Sequence, residues 1–424
     1  MFVSGDLFLT EMHKTTYGIA ASLTISVLFL FTACGNRLSE TGENQENPGT
    51  LKEPVVKREI NTGLSENRVD IQHGSFDETI SIGLIVASQV SKSELAQAAY
   101  DGAELAVNEA NEAGGYDHKN FRLLVRSCDG PWGVSAKQAV SLITDYGVKA
   151  LLTSLDGRNA HLIEQVATKA KVMMLSTRAT DPTLSQAFVP WYFRCVPDDN
   201  LQAEALADEL VKYRRHSNFI VVSENSNDSR LASGSFIKRL KKIEAEVPEQ
   251  FIYDQLKPDF NRLMKQIKET GIIYIVLFGG PENSLRFVKE LAVSDRRYAI
   301  YGPSSVMGEK NTLKEFWNCA DNMVLTSPDY WFTAKGKKFQ EDFQEIFGYL
   351  PGPAAAYAFD GMNILVEAIR KGGPEQEKMV HSMADINYKG ITGTIQFDDK
   401  GNRKGTPGMM EITHGIPVRV GRSD

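Results

Sequence analysis

The chain has 424 residues, of which 42% are hydrophobic and 24% are charged, a composition that is ordinary for a soluble globular protein. The length allows roughly two or three domains of ~150 residues each, and the composition excludes a collagen-like chain, a wholly disordered chain and a membrane protein with many spans. The formal net charge of −7 gives no indication of a nucleic-acid partner, so none is expected.

The chain begins with a predicted targeting signal, residues 1–33. An apolar run over 19–31 follows Lys14 and precedes two small residues, and this order of charge, apolar core and small residues is typical of a secretory signal peptide. The run is short for a membrane-spanning helix, which needs ~20 apolar residues. Cys34 follows at once, and the sequence FTACGN around it resembles the lipobox of bacterial lipoproteins, with Phe31 in place of the usual leucine. Two alternatives stay open: a cleaved signal with an incidental cysteine, and an uncleaved anchor.

Residues 34–78 are predicted to be a flexible tether that starts at a lipidated Cys34. This segment is polar, is rich in Glu, Asn, Gly, Thr and Lys, and has no apolar periodicity. Such a segment cannot bury enough apolar surface to offset the entropy lost on ordering. A tether after a lipidated cysteine would hold the globular body clear of a membrane.

From Thr79 onward, short apolar runs alternate with amphipathic helical patterns. The first strand is predicted over 79–86, and the next helix over 94–113. Further strands are predicted over 121–126, 149–153, 172–176, 218–223 and 272–278. These strands are almost continuously apolar, which indicates burial on both faces and hence a parallel sheet. Regular alternation of strands and helices is typical of an α/β doubly wound fold.

The number of strand–helix units is too large for one sheet, so two lobes are predicted. The alternation is broken at 190–200, which holds two prolines and two aspartates, and again at 323–331, and the tail after Gly390 has the pattern of a β-hairpin. The expected first lobe comprises 79–197 and 328–390, and the second comprises 198–327 and 391–424. These crossings would form a multi-strand hinge, with a ligand cleft between the carboxyl ends of two parallel sheets.

The sequence contains none of the common catalytic or cofactor motifs, such as GxGxxG after a strand, GxxxxGK[ST], HExxH or GxSxG. The seven histidines are scattered, and His161 is expected to be a surface helix residue. The four cysteines include no CxxC pair, so neither a zinc cluster nor a disulfide scaffold is expected; whether Cys128 and Cys195 pair is left open. The sequence therefore favours a binding protein without cofactor or metal over an enzyme.

Several stretches, in order, resemble the leucine/isoleucine/valine-binding family, the type I periplasmic solute receptors of bacterial ABC importers. The helix GAELAVNEANEAGG is similar to the signature GxxLAxxxxNxxGG of that family, LSTRATDPTLS to its S-x-x-A-T-x-P-x-L segment, and FRCVPDDNLQ to its FR-x-x-x-D-x-x-Q crossing. Further matches cover 129–143, 147–160, 259–271, 351–373 and 388–403. The resemblance extends from about Ile80 to Val420.

The resemblance implies two lobes around a hinge, a ligand in the cleft and no chemistry performed. In this family the ligand is usually an amino acid or a relative, whose carboxylate meets backbone N–H groups and hydroxyls of the first lobe and whose ammonium meets an acid of the second. The matching positions are, in the first lobe, Ser154, Asp156, Gly157, Arg178, Ala179 and Thr180, and in the second lobe Ser229 and Glu282. Because the serine–glycine pair of the family is missing over 88–95 and its second-lobe aromatic is missing near Ser229, the pocket is not expected to be a standard branched-chain one.

Several of these positions also have a purely structural interpretation. Asp156 and Ser154 are suited to capping the helix that follows them, and Thr180 is suited to a turn. Arg178 is equally acceptable as a solvated surface charge or as a salt-bridge partner. Glu282 falls in the first turn of a predicted helix, where an acid interacts favourably with the helix dipole.

Taken together, these features predict a lipid-anchored solute-binding receptor on the extracytoplasmic side of a bacterial membrane. Its expected partners are a small amino-acid-like ligand, an ABC permease with its ATPase, and the membrane through the N-terminal lipid. The alternative is a sensory lipoprotein that reports ligand occupancy to a membrane partner without transport. An enzyme on the same α/β frame is a third class, which lacks an evident nucleophile and base.

Overall fold

The computed structural model describes residues 79–131, 133–187 and 189–421. The predicted signal at 1–33, Cys34 and the predicted tether therefore lie outside the described residues. Among the residues described, none of the helices combines the length and the apolar character that a bilayer crossing requires.

The first lobe is built on a parallel sheet of five strands in the order β2-β1-β3-β4-β5. The strands are β1 (Thr79–Val86), β2 (Asn120–Ser127), β3 (Ala150–Ser154), β4 (Met173–Ser176) and β5 (Tyr192–Arg194), and the helices between them are α1 (Glu94–Glu112), α2 (Val134–Thr144) and α3 (Gly157–Ala170). Ile82 and Leu84 pack into the core on one side of the sheet, and Ile85 packs into the core on the other. Burial on both faces explains why these strands are almost continuously apolar.

The second lobe holds a seven-stranded sheet in the order β14-β13-β10-β9-β8-β6-β7. Its parallel strands are β6 (Ile220–Glu224), β7 (Gln250–Tyr253), β8 (Tyr274–Phe278), β9 (Ala299–Gly302) and β10 (Met323–Ser327). The helices are α4 (Asp199–Ala207), continued by a π-helical turn (Asp208–Tyr213), then α5 (Asn227–Lys242), α6 (Phe260–Thr270), α7 (Pro281–Ala292) and α8 (Lys310–Cys319). These elements enclose a separate apolar core around β6, β8 and β9.

After β10 the chain returns to the first lobe. It forms α9 (Ala334–Phe347), α10 (Pro353–Gly372), α11 (Gln376–Ala384), β11 (Tyr388–Gly390) and β12 (Gly393–Ile395), and then adds β13 (Gly408–Thr413) and β14 (Ile416–Arg419) to the second sheet. Helix α10 is apolar almost all round and buried against α1. The pair β11–β12 and the strands β13 and β14 are all antiparallel to their neighbours.

The third crossing between the lobes lies further along the chain than the sequence suggested. Ile391, Ile395 and Phe397 belong to the apolar core of the first lobe, and the Arg403 guanidinium donates to the carbonyl of Cys195 at 2.9 Å. We therefore assign residues 391–403 to the first lobe and place the crossing after Arg403, not at 390. The tail forms two short hairpins, one on each lobe, where the pattern predicted one.

The predicted α/β fold with two doubly wound lobes is confirmed. Each predicted strand lies within two residues of an observed one, and the helix predicted over 94–113 is observed as Glu94–Glu112. The predicted breaks at 190–200 and 323–331 coincide with the first two crossings, because β5 ends at Arg194 in the first sheet and β10 at Ser327 in the second.

Candidate functional site

A cleft of about 410 Å³ lies between the two lobes. The first lobe contributes residues that follow β3 and β4, including Asp156, Arg178 and Thr180, and the second lobe contributes Glu224 at the end of β6 and the glycines after β8. The carboxyl ends of parallel strands are where α/β sheets place their ligands. The volume is in the range of a site for a small molecule.

On the first-lobe side, Asp156 is the N-cap of α3. Its carboxylate accepts from the backbone N–H of Asn159 at 3.0 Å and from the side-chain amide of the same residue at 2.8 Å. The capping interpretation of Asp156 is thus confirmed, and the residue lines the cleft as well. The backbone carbonyl of Thr180 accepts from the N–H of Asp199 at 2.9 Å, which ties the loop after β4 to the start of α4.

Arg178 is half-buried at the edge of the cleft. Its guanidinium forms no hydrogen bond and no salt bridge with any residue in the described part of the chain. Its charge acts on the nearby Asp228 carboxylate. Because an arginine presents its donors in a planar fork that matches a carboxylate, this side chain has hydrogen-bond donors left for the anionic group of a ligand.

On the second-lobe side, the acid that reaches the cleft is Glu224, which is 2% exposed. Its Oε2 accepts from the amide of Asn283 at 2.9 Å and from the N–H of Gly280 at 3.4 Å. Asn283 is held in turn by the carbonyl of Gln255 at 2.9 Å. Glu224 is not among the residues predicted from the sequence, although its place directly after the apolar run of β6 is a signal that could have identified it.

The other sequence-predicted residues divide into two groups. Ser229 lines the cleft, together with Asp156, Arg178 and Thr180, whereas Ser154, Gly157 and Ala179 lie beside it and do not line it. Glu282 lies in the first turn of α7 with an exposed side chain, outside the lining of the cleft. Its position fits the helix-dipole alternative.

Asp199 is a second acid that the motifs did not single out. It is the first residue of α4, it is 4% exposed, and it lines the cleft. Its Oδ2 has no hydrogen-bond partner in the described part of the chain. Burial raises the pKa of Asp199 well above its ordinary value. The Thr180 side chain and the Arg194 charge oppose that rise, and the neighbouring Asp228 carboxylate adds to it.

Three carboxylates connect the lobes directly, and each of them meets the N-terminus of a helix in the opposite lobe. Asp228 accepts from the N–H of Gly157 at 3.2 Å, and Glu94 accepts from the N–H of Thr312 at 3.1 Å. Glu309 accepts from the N–H groups of Gly352 at 2.7 Å and Ala354 at 2.6 Å. Helix N-termini carry unpaired N–H donors and a partial positive charge, so these contacts favour a closed cleft.

Glu309 is the most deeply buried of the three. Burial raises the pKa of its carboxyl group to about 8, and the two N–H donors oppose that rise. Burial likewise raises the pKa of Asp228, an effect that the Arg178 guanidinium opposes.

The cysteines of the described residues are free thiols, so Cys128 and Cys195 do not form a disulfide with each other in this structure. Cys195 is buried and its thiol donates to the carbonyl of Ser176 at 3.5 Å. Burial raises the pKa of both thiols to about 12. Within the described residues, no three His, Cys, Asp or Glu side chains are grouped so as to hold a metal ion.

The chain matches the family model described as periplasmic binding protein over residues 79–412. It is 23% identical, over 317 residues, to the leucine-, isoleucine-, valine-, threonine- and alanine-binding protein of Pseudomonas aeruginosa, with 72% of this chain and 81% of that protein covered.

Solved structures show the same fold. The substrate-binding protein of a branched-chain amino acid transporter from Streptococcus pneumoniae, in complex with isoleucine, superposes with a TM-score of 0.70 at 21% identity and covers 81% of this chain and 100% of its own. A solute-binding protein of an ABC transporter from Rhodopseudomonas palustris, in complex with 3,4-dihydroxybenzoic acid, superposes with a TM-score of 0.71 at 17% identity. That superposition covers 81% of this chain and 96% of the other protein.

These relatives are binding proteins, in agreement with the absence of catalytic motifs from the sequence. The resemblance to the leucine/isoleucine/valine-binding proteins, which was inferred from short motifs, is confirmed by the match to the family model and by the relatives. The chain belongs to the periplasmic binding protein family.

Proposed function

We propose that this protein is the extracytoplasmic solute-binding receptor of an ABC importer and that it binds an amino acid or an amino-acid-like molecule in the cleft. The observation that carries the proposal is the pair of opposite charges across the cleft. The Arg178 guanidinium, which forms no hydrogen bond or salt bridge with a described residue, lies on the first-lobe side, and the buried Glu224 carboxylate lies on the second. A zwitterion supplies the complementary carboxylate and ammonium groups.

The proposed mechanism is closure of the cleft around the ligand. The lobes are joined by three crossings, so a rotation needs to change few backbone angles. In the closed form, Asp228, Glu309 and Glu94 each bond to a helix N-terminus of the other lobe. A ligand that touches both lobes binds the closed form more tightly than an open one and so shifts the population toward closure.

We further propose that Cys34 is the mature N-terminus and that its lipid anchors the protein in the membrane. A single acyl chain binds a membrane only marginally, whereas two or more chains anchor stably. Fractionation and intact mass of the wild type and Cys34→Ala test this. The wild type should carry the lipid mass and stay with the membrane, and the variant should be released; equal release of both would contradict the proposal.

The ligand class is tested by thermal denaturation of the purified protein with a panel of amino acids, amides, aromatic and aliphatic organic acids, and sugars. A ligand present at 100 times its dissociation constant stabilises the folded state by ~2.7 kcal/mol, so a true ligand should raise the melting temperature by several degrees. Shifts confined to amino acids support the proposal. Shifts with sugars or aromatic acids alone would contradict it.

Transport is tested separately from binding. Cells that lack the protein should take up less of the labelled ligand, because a permease receives its solute from the receptor. Unchanged uptake with a changed cellular response to the same ligand would instead support the sensory alternative.

A further inference from the structure

The charges that line the cleft are unbalanced. Among the described lining residues, five are acids and two are basic: Asp156, Asp199, Glu224, Asp228 and Glu309, against Arg158 and Arg178. Three of the acids, Asp199, Glu224 and Glu309, are each no more than 4% exposed. Both arginines are more exposed than these acids. A carboxylate that is removed from water without a partner is costly, so the excess needs an explanation.

For three of the five acids, contacts within the protein explain the buried or half-buried charge. Asp156 caps its own helix, and Asp228 and Glu309 each cap a helix of the opposite lobe. Backbone N–H donors at a helix N-terminus stabilise a carboxylate without a cation. These three groups therefore need no ligand to satisfy them.

Asp199 and Glu224 are satisfied less completely. The three acids above use both carboxylate oxygens. In contrast, Oδ2 of Asp199 has no hydrogen-bond partner among the described residues, and the hydrogen bonds that Glu224 accepts from described residues all end on Oε2, in part from the N–H of Gly280 at the N-terminus of α7. Both acids lie on the second-lobe side, at the start of α4 and at the end of β6. The charge of Arg194 acts on Asp199, but neither acid has a lysine or arginine of the described residues within salt-bridge distance.

The anion-binding capacity of the cleft is also reduced. The N-terminus of α3, which would suit the carboxylate of a ligand, is occupied by the Asp228 carboxylate through Gly157. Arg178 remains for one ligand carboxylate. A simple zwitterion would pair with Arg178 and with one acid and would leave the second acid unpaired.

We propose, building on the function proposed above, that the ligand is an organic cation with one more ammonium or guanidinium group than an ordinary α-amino acid. A diamino acid of the size of lysine supplies one carboxylate for Arg178 and two cationic groups for Asp199 and Glu224. The volume of about 410 Å³ accommodates such a molecule. The raised pKa of Asp199 agrees with a carboxyl group that is buried without a salt bridge.

The test compares lysine with norleucine, which has the same chain without the terminal ammonium. Calorimetric titration of the wild type should show lysine bound at least ~10-fold more tightly than norleucine, because one additional buried charge pair forms. Arginine and the diamine cadaverine extend the comparison. Norleucine binding as tightly as lysine would overturn the inference while leaving the proposed function standing.

Variants identify the acids responsible. Glu224→Gln removes the acid that is paired with the α-ammonium in the proposed function, so it should weaken lysine and norleucine alike by ~10-fold or more. Asp199→Asn should weaken lysine by ~10-fold or more and norleucine by a clearly smaller factor. Glu282→Gln, which removes an acid outside the cleft, should leave both affinities unchanged. The opposite pattern for the first two variants would exchange the roles of the two acids, and equal weakening of lysine and norleucine by both variants would contradict an additional cation.

Negative results also distinguish failure of the cation inference from failure of the proposed function. If lysine, arginine and cadaverine all fail to bind while another amino acid binds, the cation inference is wrong and the proposed function holds. If no amino acid or amine binds at all, both are wrong. The comparison of probes on the wild type does not depend on whether the variants fold.

Discussion

His161 on α3 contacts two carboxylates. Its Nε2 lies 3.3 Å from Oδ2 of Asp181 and 2.9 Å from the hydroxyl of Thr183, and its Nδ1 lies 3.4 Å from Oε2 of Glu164. The hydrogen bond to Asp181, followed by that to Glu164, raises the pKa of the imidazole to about 9. The residue was expected on a helix surface, and the structure places it there, partly exposed, where it links α3 to the loop after β4.

His161 therefore predicts a pH-dependent contribution to stability. Because its pKa in the folded state lies above the unfolded value of about 6.5, its stabilising effect is complete below pH ~6.5 and is lost as the pH rises through about 9. His161→Gln should lower the melting temperature at pH 6, and the difference from the wild type should shrink by pH 10. An equal difference at both pH values would assign the effect to packing and not to charge.

The positions of Glu282 and Glu224 show that motif matching does not predict which acid lines the cleft. Glu282 follows GGP in a setting similar to that of the family, but the exposed first turn of α7 directs it away from the lining. Glu224 belongs to no recognised motif. Only the geometry of the parallel sheet, which brings the end of β6 to the cleft, identifies it as a cleft residue. A spacing in the sequence fixes the loop in which a side chain lies, whereas its direction depends on how the helix after it starts.

The two long helices of the first lobe, α1 and α10, pack against each other through a close backbone approach. A Cβ placed on Gly102 of α1 would lie 2.2 Å from the carbonyl oxygen of Ala355 in α10. No side chain fits at that distance unless the helices move apart. The position belongs to the matched helix signature, and its role is packing.

We predict that Gly102→Ala destabilises the protein by ~1–3 kcal/mol, because the added methyl overpacks the contact between the helices. The matched control is Gly234→Ala in α5, where an added Cβ meets nothing within 4 Å and the higher helix propensity of alanine should stabilise by up to ~1 kcal/mol. Thermal melts of both variants should therefore shift in opposite directions. A stabilised Gly102→Ala variant would show that the helices separate at little cost.

The strands could be predicted to within two residues because burial on both faces requires an uninterrupted apolar run, a pattern visible locally. The assignment of 391–403 to a lobe could not be predicted in the same way. Its apolar residues Ile391, Ile395 and Phe397 would suit either core, and only the contact with β5 decides. Long-range pairing of this kind leaves no periodic signal in the sequence.

At the scale of the whole molecule, the presence of two lobes follows from the sequence, whereas the contacts between the lobes do not. The number of strand–helix units predicts two sheets. The carboxylates that connect the lobes, Glu94, Asp228 and Glu309, look like ordinary helix-terminal acids in the sequence, and their partners are set by the relative position of the lobes.

Closure of the cleft around the ligand is tested most directly by small-angle X-ray scattering of the purified protein. The profile is recorded with and without a saturating concentration of the ligand that gives the largest thermal shift. If the cleft binds the ligand by closing, the radius of gyration should decrease on addition of the ligand, because the crossings allow the lobes to rotate toward each other. A scattering profile that does not change, although the ligand is bound, would contradict closure and would indicate a rigid cleft.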